Sequence, residues 1–177
     1  MDKFHNYGLY SDIAETKGAY LSNTKAYEAF WMIKQEIKDR SVSLALSFGK
    51  DSMTMLHLCH KHNLLKDIKI VMWNNSGMEY PDALDFRDYV LDYYNVDNFV
   101  ETCPEDPFSY FLDKDVLNDS VMKDFVYDCL EKPRWKKMDE NEIDCTLLGL
   151  RNEESKARRI NNYMRGSWIV TGKQNLS

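Results

Sequence analysis

The sequence predicts an α/β domain built on a parallel, or mostly parallel, twisted sheet with helices on both faces. Three observations predict it. Short apolar runs at 41–46, 69–73, 99–102 and 145–148 are separated by segments of helical periodicity, the alternation expected of βαβ units. The first run, Ser41-Val42-Ser43-Leu44-Ala45-Leu46, is small or apolar on both faces, as a strand covered on two sides and lying mid-sheet must be. Three of the four runs end in polar or glycine-bearing loops, and in a parallel sheet such loops open onto one edge.

Taken in order, residues 24–39 read as an amphipathic helix, because Ala26, Phe30, Ile33 and Ile37 recur at helical spacing with Trp31 beside them. The strand at 41–46 and the loop Ser47-Phe48-Gly49-Lys50-Asp51-Ser52 come next. Ser52 to His62 then carries Met55, Leu56 and Cys59 on one helical face. Lys69-Ile70-Val71-Met72-Trp73 reads as a second buried strand, ending in Asn74-Asn75-Ser76-Gly77. Pro81 suits the first turn of a helix running to about Tyr94, with Leu84, Tyr89, Val90 and Tyr93 as its apolar side. Phe99-Val100-Glu101-Thr102 reads as a third strand. The acidic, aromatic-rich stretch 104–142 is expected to hold one helix, around Val116–Leu130. Cys145-Thr146-Leu147-Leu148 reads as the last strand, leading through Gly149-Leu150-Arg151 into a charged helix from about Glu153 to Met164.

Hydrophobic residues make up 44% and charged residues 29% of the 177, which suits one domain over 1–177 with a sizeable core. No run approaches the roughly 20 apolar residues of a membrane span, and Met1-Asp2-Lys3-Phe4-His5 does not start a secretory signal. A cytoplasmic protein without membrane contact is expected. The formal charge of −6 argues against general nucleic-acid binding, which needs a basic face. Charge is uneven, however: 79–131 carries −12 and 132–177 carries +4, so basic residues near the C-terminal end are available to a small anion.

Cys59, Cys103, Cys129 and Cys145 form no C-x-x-C pair, so neither a zinc site, an iron–sulfur cluster nor a disulfide framework is signalled. Cys59 and Cys145 fall inside apolar patterns and read as small core fillers. His57, Cys59, His60 and His62 invite a metal reading, but only part of that group can face one point on a helix. Packed or solvated helix residues are the favoured account.

The first loop carries the chemistry. Hydroxyls, a permissive Gly49 backbone, the cation of Lys50 and a following helix are together what an anionic phosphate requires. It is not the G-x-x-x-x-G-K-[ST] loop of common NTPases. The plainer alternative is a strand-to-helix turn in which Asp51 or Ser52 caps the helix.

Ser47-Phe48-Gly49-Lys50-Asp51-Ser52 resembles the S-x-G-K-D-S pyrophosphate loop (PP-loop) of the N-type ATP pyrophosphatase superfamily. With the continuation Met53-Thr54-Met55-Leu56-His57, it is most similar to the branch of phosphoadenosine phosphosulfate (PAPS) reductase and the ATP sulfurylase small subunit. Asn75-Ser76-Gly77-Met78-Glu79-Tyr80-Pro81-Asp82 resembles that branch's second motif, in which an acidic or amide residue precedes Thr/Ser and Gly. Gly149-Leu150-Arg151-Asn152-Glu153-Glu154-Ser155, with Arg158 or Arg159, resembles its third, G-x-R-x-x-E-S-x-x-R.

The resemblance implies a Rossmann-like, adenine nucleotide alpha hydrolase-like fold and a place in sulfur metabolism, with ATP or an adenylyl-sulfate as the bound nucleotide. It implies that Ser47, Gly49 and Ser52 cradle the phosphate or sulfate end and that Lys50 neutralises it. Asp51 would cap the helix or help hold Mg²⁺. Asn75 and Gly77 would lie near the nucleotide, and Gly149 would let it approach the backbone. Arg151 would offer a forked donor, the alternative being an ion pair with Glu153 or Glu154. Lys50 and Arg151 are the expected catalytic pair, for α–β phosphate cleavage with adenylyl transfer or for sulfonucleotide chemistry. Phe48 stands where the family often has a small residue and is expected to narrow the loop or alter its ligand. The Glu-Cys-Gly-Leu-His segment that carries the reductase nucleophile is not found in 1–177, so this chain alone is not expected to reduce PAPS. A nucleotide-responsive module whose acidic, aromatic 79–135 region meets a protein partner, or a second copy, is the other expectation.

Overall fold

The computed structural model describes residues 20–104, 106–108, 111–112 and 119–150. Helix α1 is Tyr20–Asp39, strand β1 Val42–Ala45, helix α2 Lys50–Lys61, strand β2 Ile70–Asn74, helix α3 Pro81–Tyr93 and strand β3 Phe99–Thr102. Helix α4, Asp119–Phe125, widens into a π-helical stretch, Val126–Glu131, and resumes as α5, Lys132–Glu140; β4 is Cys145–Leu147. The helix expected at 153–164 lies outside the described residues.

All pairings in the four-stranded sheet are parallel, in the order β3-β2-β1-β4. β1 is central because it can be: Val42 and Leu44 bury their side chains on one face, while Ser43 is small enough to be buried on the other. The first face meets α1, α2 and α3 through Ile33, Leu56, Cys59 and Val90. The second carries Ile70 and Met72 against Met138 and Ile143, next to Trp135 of α5. Helices therefore cover both faces, as the strand pattern predicts.

A hydroxyl pair on the second face ties β1 to β4. Ser43 Oγ lies 2.8 Å from Thr146 Oγ1, which in turn lies 3.7 Å from Met138 Sδ. These two hydroxyls sit directly opposite in the register. A shift of one residue in β4 would turn Thr146 onto the apolar face and leave Ser43 without this partner, so the pair favours the register that brings the following loops together.

Three helices end in the same way. Asn63, Asn95 and Glu142 each have positive φ, at 55°, 50° and 51°. The next residue's N–H returns to the carbonyl five positions back: Leu64 to Cys59 (2.8 Å), Val96 to Leu91 (2.9 Å) and Ile143 to Met138 (2.9 Å). These are Schellman ends, in which a left-handed residue stops the helix and an apolar one tucks back beneath it.

The stretch 119–140 differs from the single helix expected near 116–130. Pro133 in the first turn of α5 has no N–H to offer the carbonyl of Cys129. The widened π turns lie directly before it, where the α ladder loses that bond. Helix α5 escaped notice because it presents only Trp135 and Met138 as large apolar residues among charges.

Candidate functional site

Because every pairing is parallel, the loops after β1, β2, β3 and β4 share one edge, and the strand order reverses between β1 and β4. A crevice for ligands forms at such a reversal. Both loops that border it are described as far as Leu150.

The loop after β1 is held from within. Ser52, 7% exposed, accepts the Ser47 N–H at 3.2 Å, lies 3.2 Å from Ser47 Oγ and donates to the Gly49 carbonyl at 3.0 Å. Ser52 thus closes the loop, and Ser47 is left exposed at its mouth. Gly49 is the N-cap of α2, so no side chain at that position covers the helix N-terminus. Lys50 Nζ approaches Asp51 Oδ2 at 3.4 Å, and the Lys50 side chain is 59% exposed. Neither Asp51 nor Ser52 is the N-cap, in contrast to the plainer expectation for the turn.

Phe48 takes a left-handed backbone, φ 57°, which is costly for a bulky residue. Its ring packs edge-on against Trp73 at 5.1 Å between centroids, with Phe99 at 6.3 Å and Phe86 at 6.4 Å. The side chain is therefore an anchor between sheet and α3, and it is the Phe48 backbone that borders the loop.

The loop after β4 turns sharply at Gly149, with Leu150 N–H returning to Leu148 O at 2.9 Å. A Cβ on Gly149 would stand 2.6 Å from the Asp51 carbonyl oxygen and 2.8 Å from Ser52 N. The glycine is required because two backbones touch, one from the loop after β1 and one from the loop after β4. Arg151 is two residues on from this contact and lies outside the described residues, as do Arg158 and Arg159.

The loop after β2 is organised by Asn75, which is 5% exposed. Its N–H donates to Thr102 O at 2.8 Å, its Nδ2 donates to Glu101 Oε1 at 2.6 Å, and its Oδ1 accepts the Gly77 N–H at 2.8 Å. Gly77 has φ 77°, and a Cβ there would meet Pro107 Cγ at 2.7 Å. Glu101 Oε2 in turn accepts from Arg87 Nη1 of α3 at 2.7 Å. The expected pair Asn75 and Gly77 is thus present at the edge, with Asn75 acting as scaffold. Arg87, Glu101 and Pro107 were missed. The available signal was Glu101 itself, a charge at a strand position that the alternation turns toward a helix.

Among the described residues no group of three or more His, Cys, Asp or Glu side chains could hold a metal ion. His60 and His57 pack edge-on against Tyr94, with His57 Nδ1 3.3 Å from Tyr94 Oη, and the His62 ring lies tilted against Phe30 with centroids 4.3 Å apart. Burial, with Lys61 and His60 nearby, lowers the His57 pKa. All four cysteines are free thiols. Burial pushes Cys59 up to about 12, and burial together with Glu101 raises the exposed Cys103. Neither is in an activating environment. Among the described residues no helix is long and apolar enough to cross a membrane.

Comparison with known proteins agrees with the α/β fold. The family described as "Phosphoadenosine phosphosulfate reductase domain" matches residues 41–167. The fold is similar to that of the phosphoadenylyl-sulfate (PAPS) reductase from Candida auris, crystallised as a phosphate complex. The TM-score is 0.52 at 15% identity, over 85% of this chain and 69% of that one. No curated protein matches the chain.

Proposed function

The chain belongs to the phosphoadenosine phosphosulfate reductase domain family, and from that premise we propose that it binds ATP or an adenylyl-sulfate at the crevice between β1 and β4. The observation that carries this is the contact of Gly149, the first residue of the third motif, with the Asp51–Ser52 backbone at the start of α2. In this reading Ser47 and the N-terminal turn of α2 receive the phosphate or sulfate end, and Lys50 neutralises it. In the same reading Arg151 offers its forked guanidinium to that anion. Asp51 is the one carboxylate of the loop. It suits a Mg²⁺ that shares the nucleotide's phosphates, since that ion commonly takes one or two protein carboxylates and completes its shell with phosphate and water. Such an ion would supply charge neutralisation at the phosphates.

Two reaction classes fit the family: adenylyl transfer with pyrophosphate release, which needs only positioning and charge stabilisation by Lys50 and Arg151, and chemistry on a sulfonucleotide. The second needs a nucleophile, a role that the raised thiols of Cys59 and Cys103 do not suit. A double-mutant cycle tests the shared pocket. Lys50→Ala should lower nucleotide affinity by about 1.5–3 kcal/mol, and Lys50→Ala/Arg151→Ala should depart from the sum of the single losses. Strict additivity with a negligible Arg151 effect in nucleotide titrations would reject it.

A nucleotide-responsive module that binds a protein is the second reading. It is favoured by exposed apolar side chains within the acidic stretch, notably Phe108 at 64% and Leu112 at 79%. Pyrophosphate release from ATP, with and without acceptors, separates the two.

A further inference from the structure

We propose that Arg87 and Glu101 are positioning residues for the loop at 75–77, acting through the side-chain amide of Asn75; the proposal rests on the nucleotide reading of this edge.

Glu101 lies opposite Trp73 in the β2–β3 register, on the face that α3 covers. A carboxylate between a sheet and a helix is costly unless both oxygens are engaged. Here they are: Oε2 accepts from Arg87 at 2.7 Å and Oε1 from Asn75 Nδ2 at 2.6 Å, with the Arg87 and Glu101 side chains 21% and 25% exposed. Because an ionised carboxylate only accepts, it fixes which end of the Asn75 amide faces it. The nitrogen turns to Glu101, and the oxygen is delivered to the Gly77 N–H at 2.8 Å.

The direction of that peptide is thereby set by an ion pair behind the loop. Arg87 is itself held, by Asp88 Oδ1 at 2.8 Å and by the Trp73 ring 5.9 Å below its guanidinium. Gly77 has φ 77°, and a Cβ there would meet Pro107 Cγ at 2.7 Å, so only glycine presents its N–H to the Asn75 oxygen in this turn without strain. The same geometry decides between an acid and an amide at this position. A carboxylate at 75 would meet that of Glu101 at hydrogen-bond distance with no proton between them. Glu101 makes the amide the residue that works here.

The decisive experiment exchanges donor and acceptor in the full chain, comparing wild type with Asn75→Asp, Glu101→Gln and the double variant Asn75→Asp/Glu101→Gln. In the double variant the glutamine amide can donate to the new carboxylate and still accept from Arg87. Titration with ATP, and separately with adenosine 5′-phosphosulfate, is read beside hydrogen exchange of the Gly77 amide without ligand and thermal unfolding. Asn75→Asp is expected to weaken nucleotide binding by about tenfold or more, as loss of one charge-assisted contact would, and to speed Gly77 exchange. The double variant is expected to recover both to within about threefold of wild type. Unchanged affinity and exchange in Asn75→Asp, or a double variant that recovers thermal stability without affinity, would overturn the assignment. If wild type binds neither nucleotide, the proposed function fails, and Gly77 exchange alone decides the relay: recovery in the double variant supports it and no recovery rejects it.

Discussion

At the scale of single residues the edge is built from contacts that leave no room for a side chain. Gly149→Ala would press a methyl against the Asp51 carbonyl at 2.6 Å, and the obstacle is backbone on both sides. Gly77→Ala adds a left-handed φ to a 2.7 Å contact with Pro107. Each change is expected to cost about 1–3 kcal/mol, measured as a lower urea midpoint at constant slope. Gly149→Ala should also weaken nucleotide binding, because α2 must shift to admit the methyl. Both glycines stand in motifs that the sequence marks. What it could not show was the reason for Gly149, since its neighbour Asp51 is nearly a hundred positions away.

At the scale of elements, helix α2 carries opposite pH sensitivities two residues apart. His57 has its pKa lowered by burial, so the unfolded chain binds its proton first, and stability falls as pH drops below the unfolded value of 6.5. Cys59 is pushed up from 9.0 to about 12, so the unfolded thiol ionises first, and stability falls as pH rises from 9 toward 12. Chemical denaturation across pH should show a plateau between those two unfolded values, and Cys59→Ala should remove the Cys59 contribution to the alkaline decline. The helix ends permit a second expectation. Glu142 holds a left-handed conformation that glycine adopts freely, and its ion pair with Lys69 is exposed at 3.5 Å. Glu142→Gly should therefore stabilise by up to about 1 kcal/mol, seen as a raised melting temperature. Elements with a clear apolar period, α1, α2, α3 and the four strands, were legible in the sequence to within a few residues. Helix α5 was not, because its turns are mostly charged and tertiary contact, through Met138 and Trp135, supplies what periodicity does not.

For the molecule as a whole, one sheet edge gathers the loops after all four strands, and a nucleotide bound there should leave the opposite end untouched. Hydrogen exchange with saturating ATP is expected to slow at 47–52, 75–78 and 148–150, while the turn at Leu65–Asp67 exchanges as before. Slowing spread evenly over the chain would point to general stabilisation instead. The α/β architecture and the three motifs were readable because they are local patterns. The network behind the second loop was not, because Arg87, Glu101 and Asn75 meet only after β2 and β3 have paired. That dependence is strongest for the hydroxyl pair of Ser43 and Thr146, which are 103 positions apart. Closing so long a loop is entropically late, whereas β1 and β2 need only the short crossover through α2. On a folding pathway β4 is therefore expected to dock near the end, with Gly149 reaching Asp51 only then. A nascent chain emerging from the ribosome could possess the whole Ser47–Ser52 loop and still be blind to its ligand, so the onset of binding would serve as a clock for the last step of folding.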